Sequence, residues 1–412
     1  MQIQIPQNWQ KVKLEEITEK IYSGGTPNTT IRSYWNGRLN WLSSGETGQR
    51  FIYDTKQKIT EEGVKNSSTK LAKKGDVVIA SAGQGNTRGQ VSYLKTDTYI
   101  NQSVICVRGR EDVLDSSWIF YNLSNRYKEL RIISDTTSIR GSLTTKIFND
   151  LDILFPVEIK EQQKVVSILS AFDDKIEINN KIAKTLEQMA QNIFKEWFVK
   201  FRFPGHEKVK FVDSELGKIP ERWKASRIKD VGTIITGKTP LTENKENFGS
   251  EFPFITIPDI NKIFITKTER CLSKISAQKM KNLLLPKDSI CVSCIATVGL
   301  VGITTEASFT NQQINSMIPK TEELLYFLFL YFKNKKKDLI LYGSGGTATL
   351  IINKTKFENL GIIIPEDGIL EKYHKIVNAL LGEILSKDKE NQKLAAMRDL
   401  FLPKLIRGEI RV

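Results

Sequence analysis

The sequence of 412 residues predicts an α+β protein built as two tandem repeats, each a mixed α/β globular domain followed by one long helix. Three observations predict it. The pentapeptide IPQNW at residues 5–9 returns as IPERW at residues 219–223. The segments after each copy match in order, with Trp9 and Trp223 214 positions apart and Pro156 and Pro365 209 apart. Each repeat then closes on apolar residues at heptad spacing, the pattern of a long helix with one buried seam.

Taken in chain order, the apolar residues after each pentapeptide recur at helical spacing and predict a short helix: Leu14, Ile17 and Ile21 after Trp9, then Ile228, Val231 and Ile235 after Trp223. A Gly-x-Thr-Pro turn follows, GGTP at 24–27 and GKTP at 237–240, whose proline forces an extended exit. WLSSGET (41–47) answers FITIPDI (254–260). LAKKGDVVIASAG (71–83) answers LLPKDSICVSCIATVG (284–299), each a polar turn feeding a buried strand. Asn101 and Gln102 recur as Asn311 and Gln312. Two helices are expected next, with Asp115 and Thr321 as N-caps. FNDLDILFP (148–156) and FENLGIIIP (357–365) close the domains.

In the first long helix Val165, Leu169, Phe172, Ile176, Asn179, Ala183, Leu186, Ala190, Ile193 and Trp197 form the seam. Val377, Leu380, Leu381, Ile384, Asn391 and Leu394 answer Val165, Ile168, Leu169, Phe172, Asn179 and Ile182 in a more polar second seam, with Lys387 and Asp388 nearby. Helices of ~40 residues would be about 60 Å long. Because a globular domain separates them, they are expected to pair as an antiparallel coiled coil with pseudo-two-fold symmetry. Asn179 and Asn391 are expected to set its register; the alternative is that both face solvent. The expected boundaries are 1–156 for the first domain, 157–210 for the central helix and linker, 211–365 for the second domain and 366–412 for the last helix.

A net charge of +14 suggests a polyanionic partner, although a merely basic soluble surface is the alternative. No membrane association is expected: the richest apolar run, at 324–332, is nine residues, against roughly twenty needed to span. The N-terminal residues lack a signal-peptide pattern. Four cysteines are too few for a disulfide framework and suit a reducing cytoplasm. Cys291 and Cys294 form a CxxC with no plausible further ligands, since the two histidines, His206 and His374, are not in metal-like spacing. A buried strand accounts for both thiols.

Catalytic patterns are missing. There is no GxxxxGK[ST] loop and no Asn/Asp-Pro-Pro-aromatic motif of adenine methyltransferases, and GQGNTRG (83–89) has one residue too many for GxGxxG. Asp152, Glu158 and Lys160 are too cramped for a nuclease site. What remains is binding chemistry. Gln84, Asn86, Thr87 and Arg88 cluster in one loop; Ser138 and Arg140 lie in TTSIRGS (136–142), answered by Ser344 and Thr347 in GSGGTAT (343–349); Thr297 follows the CxxC strand of the second repeat. Arg reads guanine, Asn or Gln reads adenine, and Ser or Thr donates to phosphate. Turn chemistry or strand-end capping is the alternative at every one of these positions. Trp9, Asn101, Gln102, Trp223, Asn311 and Gln312 recur in both copies and suit a structural role.

In their order, twice over and along nearly the whole chain, these motifs resemble the specificity subunit of type I restriction–modification systems. So do the helix ends, KEWFVKF and FLPKLIRGEI. The pattern departs at Lys238, where the first copy has Gly25, and in the polar second seam. The resemblance implies two target-recognition domains, each reading half of a bipartite, asymmetric site in double-stranded DNA, with the helices as a spacer. It implies two methyltransferase subunits docked on the helices and flipping adenines for N6-methylation, joined by restriction/translocase subunits. The chain itself would be non-catalytic and free of cofactor and metal, with S-adenosylmethionine, ATP and Mg on the partners. The alternative is the specificity chain of a stand-alone DNA methyltransferase or related anti-phage system without a nuclease.

Overall fold

The computed structural model describes residues 5–83, 85–137, 141–344 and 350–412. They form two compact units, Met1–Ile176 with Gln392–Val412, and Glu177–Asn391. The boundary falls within both long helices, so each unit holds one globular domain and a stretch of each helix.

In the first unit a five-stranded sheet runs in the order Thr18–Ser23, Val104–Gly109, Val77–Ala80, Val91–Leu94, Phe51–Ile52. The central strand, Val77–Ala80, is buried along its whole length because both faces are covered. Its side chains alternate between the two faces. Val77 and Ile79 pack with Trp118, Phe120 and Leu123 of the helix Ser116–Ser124. Val78 packs with Leu42, Ala72 and Ile100, which belong to a four-stranded sheet formed by Gln57–Ile59, Trp35–Leu42, Thr98–Ile100 and Lys70–Ala72.

The second unit repeats this plan. Its five strands follow the same order, Gly232–Thr236, Ile314–Pro319, Ile290–Ser293, Val301–Thr304, Phe264–Ile265, with the last pair again parallel. Ile290 and Val292 face Phe327 and Phe329 of the helix Leu324–Asn334. Cys291 faces the opposite way, into a cluster with Ile255, Ile265 and Leu285. The CxxC is therefore strand alternation at the place Val78 holds in the first unit.

The pentapeptides are anchors. Trp9 and Trp223 are buried, and in each the tryptophan N–H closes a turn onto the carbonyl of the preceding proline, Pro6 (3.0 Å) or Pro220 (2.9 Å). Trp9 meets Trp118 edge-on at 5.4 Å and donates its indole N–H to Glu161 at 2.9 Å. Trp223 is clasped by Phe198, Phe201 and Phe203 at 5.0–5.7 Å. The short helix expected next is reduced to a single turn, Leu14–Ile17 or Ile228–Val231, between two strands. The physical reason is strand pairing on either side: Trp9–Lys13 pairs with Asp152–Pro156 before the turn and Thr18–Ser23 with Val104–Gly109 after it, and likewise Lys224–Arg227 with Gly361–Ile364 and Gly232–Thr236 with Ile314–Pro319. Asp115 caps its helix as expected, accepting from Ser117 N at 2.7 Å. Thr321 does not cap, because the helix starts at Leu324 with Glu323 at the cap position.

The central helix spans Ile159–Phe194 and passes into a π-turn, Lys195–Val199, so Trp197 leaves the heptad register. The C-terminal helix spans Asp367–Ile406. Within each unit they run antiparallel. In the first, Phe172 stacks on Phe401 and Val165 and Leu169 pack with Leu402, Leu405 and Ile406. In the second, Phe194 packs on Tyr373, and Asn179 meets Asn391. Asn179 Nδ2 donates to Asn391 Oδ1 at 2.9 Å, Asn391 Nδ2 donates to Asn180 Oδ1 at 3.0 Å, and both Asn179 and Asn391 are buried. Solvent-facing asparagines, the alternative reading, are ruled out.

An acidic residue on a helix clamps the domain of each unit. Buried Asp173 accepts from Arg50 Nε (3.0 Å to each oxygen), Arg398 Nη1 (2.6 Å) and the Tyr121 hydroxyl (2.8 Å). Buried Asp388 accepts from Lys262 Nζ at 2.7 Å. Arg50 and Lys262 sit at equivalent edges, just before the parallel edge strands.

Candidate nucleic-acid interface

Each domain first locks its Gly-x-Thr-Pro turn to its Asn-Gln pair. An added Cβ would lie 1.9 Å from Ile100 O at Gly24 and 2.2 Å from Thr310 O at Gly237, so only glycine lets the backbones approach. Gly25 N donates to Ile100 O (3.1 Å) and Lys238 N to Thr310 O (2.9 Å), a bond of main chain alone; a Cβ at Gly25 would meet Ser68 Oγ at 2.1 Å, whereas the Lys238 side chain is exposed. Asn101 and Asn311 are turn residues, each accepting from the backbone N–H two positions on, at 3.0 and 3.1 Å. Gln102 and Gln312 are exposed. Each accepts from the threonine of its turn, Thr26 or Thr239, at 2.5 Å, so both amides are held in one orientation at the surface.

Beside this lock, segments far apart in sequence come together. In the first domain Arg88 Nη1 donates to Gly141 O at 3.1 Å, and its Nη2 pairs with Asp135. The loop before it is held from the helix Tyr127–Thr137, where Tyr127 donates to Asn86 O (2.9 Å) and Arg131 to Gly85 O (2.8 Å). Asn86 is exposed and Thr87 half-buried. Arg88 is buried, and it binds the loop to Gly141 rather than offering its guanidinium outward. In the second domain Ala296 N donates to Leu350 O (3.1 Å) and Ile352 N to Cys294 O (2.9 Å). Thr297 is exposed at the tip, beside Ala296, which adopts a left-handed φ of 62°. Ser344 is exposed, and its hydroxyl closes the preceding helix onto Leu341 O at 2.6 Å. Gln84, Ser138, Arg140 and Thr347 lie outside the described residues.

Among the described residues the site contains no group set for catalysis. Burial pushes the Cys291 and Cys294 thiols up to about 12, so both are neutral at physiological pH. Among the described residues no group of His, Cys, Asp or Glu could hold a metal ion, and no helix is long and apolar enough to cross a membrane. Asp152 is engaged by Lys11 (2.8 Å) and Lys13 (2.7 Å) across the strand pair, and these hold its carboxyl down at about 2. Sequence reasoning missed Asp173, Tyr127 and Arg131, and also Asn315, a buried amide that joins Thr236 Oγ1 (2.7 Å) to Ile352 O (3.1 Å). Asp173 did carry a signal, as a charge adjoining an otherwise apolar seam.

Comparisons with known proteins agree with this architecture. The family model described as "Type I restriction modification DNA specificity domain" matches twice, over residues 6–188 and 220–396. The type I restriction enzyme HindI specificity subunit of Haemophilus influenzae is 34% identical, over 83% of this chain and 88% of that protein. The MjaIX specificity subunit of Methanocaldococcus jannaschii is 26% identical over 99% and 95%. The crystal structure of a type I restriction–modification S subunit from M. genitalium matches with a TM-score of 0.58 and 14% identity, covering 97% of this chain and 96% of that one; at that identity the likeness is one of fold.

Proposed function

Because the chain belongs to the type I restriction–modification DNA specificity family, and is a non-catalytic specificity subunit of that kind, we propose that its two domains read the two halves of a bipartite, asymmetric site in double-stranded DNA. The observation that carries this reading is the pair of apposed segments built twice on one scaffold. The same main-chain scaffold presents Asn86 and Thr87 in one unit, and Thr297 and Ser344 in the other. One scaffold with different tips suits two docking events of one geometry on two different sequences. Gln102 and Gln312, alike in both units, suit a contact that does not depend on sequence.

The paired helices act as the ruler between half-sites, with the Asn179–Asn391 contact setting their register. Two methyltransferase subunits dock along them and carry S-adenosylmethionine. Restriction/translocase subunits, where present, bring ATP and Mg. Methylation without a nuclease would leave every role of this chain unchanged. The complex works in the cytoplasm, where its DNA is.

Mapping N6-methyladenine in cells that express this chain with its methyltransferase tests the reading. The expected motif has two unequal parts separated by a constant gap. A single contiguous palindrome, or methylation that does not depend on the chain, would overturn it.

A further inference from the structure

In the second unit the helices Leu324–Asn334 and Lys336–Gly343 meet at a corner that carries Lys333, Lys335, Lys336 and Lys337. With Gln191, Phe194 and Lys195 of the central helix and its π-turn, this corner lines a groove of about 430 Å³ whose floor includes Phe194 and Leu330. Lys333 is paired with Glu187, and Lys335 with Asp338 at 2.7 Å. Lys195, Lys336 and Lys337 are exposed and have no ion-pair partner among the described residues.

Three features point outward. Lys336 and Lys337 open a helix, the end at which the macrodipole disfavours cations, so local stability does not account for them. The groove is also continuous with the second reading segment: a Cβ added at Gly299 would lie 2.8 Å from Lys336 Cγ. Finally, the first domain uses the same corner differently. There Arg126 pairs with Glu129, while Tyr127 and Arg131 donate to the carbonyls of Asn86 and Gly85. Where the first domain has Tyr127 tied to its own loop, the second has Lys336 with its ammonium group exposed.

We propose that Lys195, Lys336 and Lys337 form a sequence-independent clamp on the phosphodiester backbone of the duplex whose bases the neighbouring 295–299 segment reads. Flexible ammonium groups suit a line of phosphates better than the fitted carboxylates of a protein partner, which favour the planar guanidinium. The inference rests on the DNA-reading role proposed above.

The test uses the full chain with lysines 195, 336 and 337 changed together to glutamine. Binding is followed by fluorescence anisotropy across a salt series, on a duplex carrying the mapped site and on a scrambled duplex. Loss of three phosphate contacts should make the slope of log Kobs against log salt shallower by about 2–3, equally on both duplexes. The corresponding triple arginine variant should keep the slope. In contrast, Thr297→Ala should weaken only the cognate duplex and leave the slope alone. An unchanged slope in the glutamine variant, with the unmodified chain still steep, overturns the clamp but not the DNA reading. An unchanged slope with loss of methyltransferase co-purification overturns it in favour of an acidic protein surface. Salt-insensitive binding by the unmodified chain would overturn the DNA reading itself.

Discussion

Replacing Asp173 by Asn removes the charge at the centre of the first unit's clamp while keeping its shape. In the folded chain this carboxylate is buried and faces two guanidiniums, Arg50 and Arg398, and the Tyr121 hydroxyl. Arg398 is raised above its ordinary value despite its burial, because Asp173 and Asp399 stabilise its charge. Breaking a buried ion pair on one side costs about 3–5 kcal/mol, since the surviving charge is left without a counterion. Arg50 retains 26% of its side-chain exposure and Arg398 13%, so water recovers part of that and the lower figure, about 3 kcal/mol, applies. At 1.4 kcal/mol per decade, this is roughly a hundredfold increase in opening of the first unit. Hydrogen exchange reads it directly. Amides of Gln392–Val412 and of the start of the central helix should exchange about a hundredfold faster, while those of Glu177–Asn391 stay as they were. Asp388→Asn is the matched control. Its partner Lys262 is nearly half exposed, so the loss should be about 1 kcal/mol or less and confined to the second unit. If Asp173→Asn left the first unit within about 1 kcal/mol of the unmodified chain, the clamp would have no energetic role.

Changing both Asn179 and Asn391 to Leu should raise the melting temperature while the mapped gap between half-sites becomes heterogeneous; a higher melting temperature with a single gap length would remove the register role. Inserting four residues, about one helical turn, into both helices should lengthen the gap and leave each half-site unchanged, and altered half-site sequences would contradict the ruler. Arg88→Ala should speed exchange at residues 85–89 and weaken the first half-site by about 1.5–3 kcal/mol, as expected for lost charged hydrogen bonds; relaxed preference at one base with no change in exchange would instead make Arg88 a base reader. At pH 8, alkylation should label half-buried Cys271 and spare Cys106, Cys291 and Cys294, whose thiols burial pushes up and keeps protonated. Because the folded values of Cys291 and Cys294 lie above the ordinary 9, their contribution to stability is complete below about pH 9 and is lost as pH rises towards 12.

The duplication was legible because it is written in residues that backbone geometry constrains. Trp9 and Trp223 close turns, Gly24 and Gly237 allow backbones to touch, and Asn101 and Asn311 make the same side-chain turn. The heptad seam was legible because a buried stripe leaves a period. The short helices after the pentapeptides were misread because Leu14, Ile17 and Ile21 keep helical spacing although Ile21 sits on a strand, and its partner Val107, more than 80 residues away, leaves no local trace. The loop arginine was misread for a related reason. A guanidinium suited to guanine is equally suited to Asp135 and a carbonyl, and only the fold decides which it meets.

The second domain's apposed segments are joined by main-chain atoms: Ala296 N to Leu350 O, and Ile352 N to Cys294 O. Any amino acid except proline can supply such a bond. The tips are therefore insulated from the framework that carries them, and substitutions there leave the joining bonds intact. A protein made this way can change the sequence it answers to by drift at a few exposed positions, without passing through an unfolded intermediate. The first domain shares one of these joins, Leu143 N to Ser81 O at 2.9 Å, but fastens its loop tip through the Arg88 side chain on Gly141 O, and its repertoire should be correspondingly narrower.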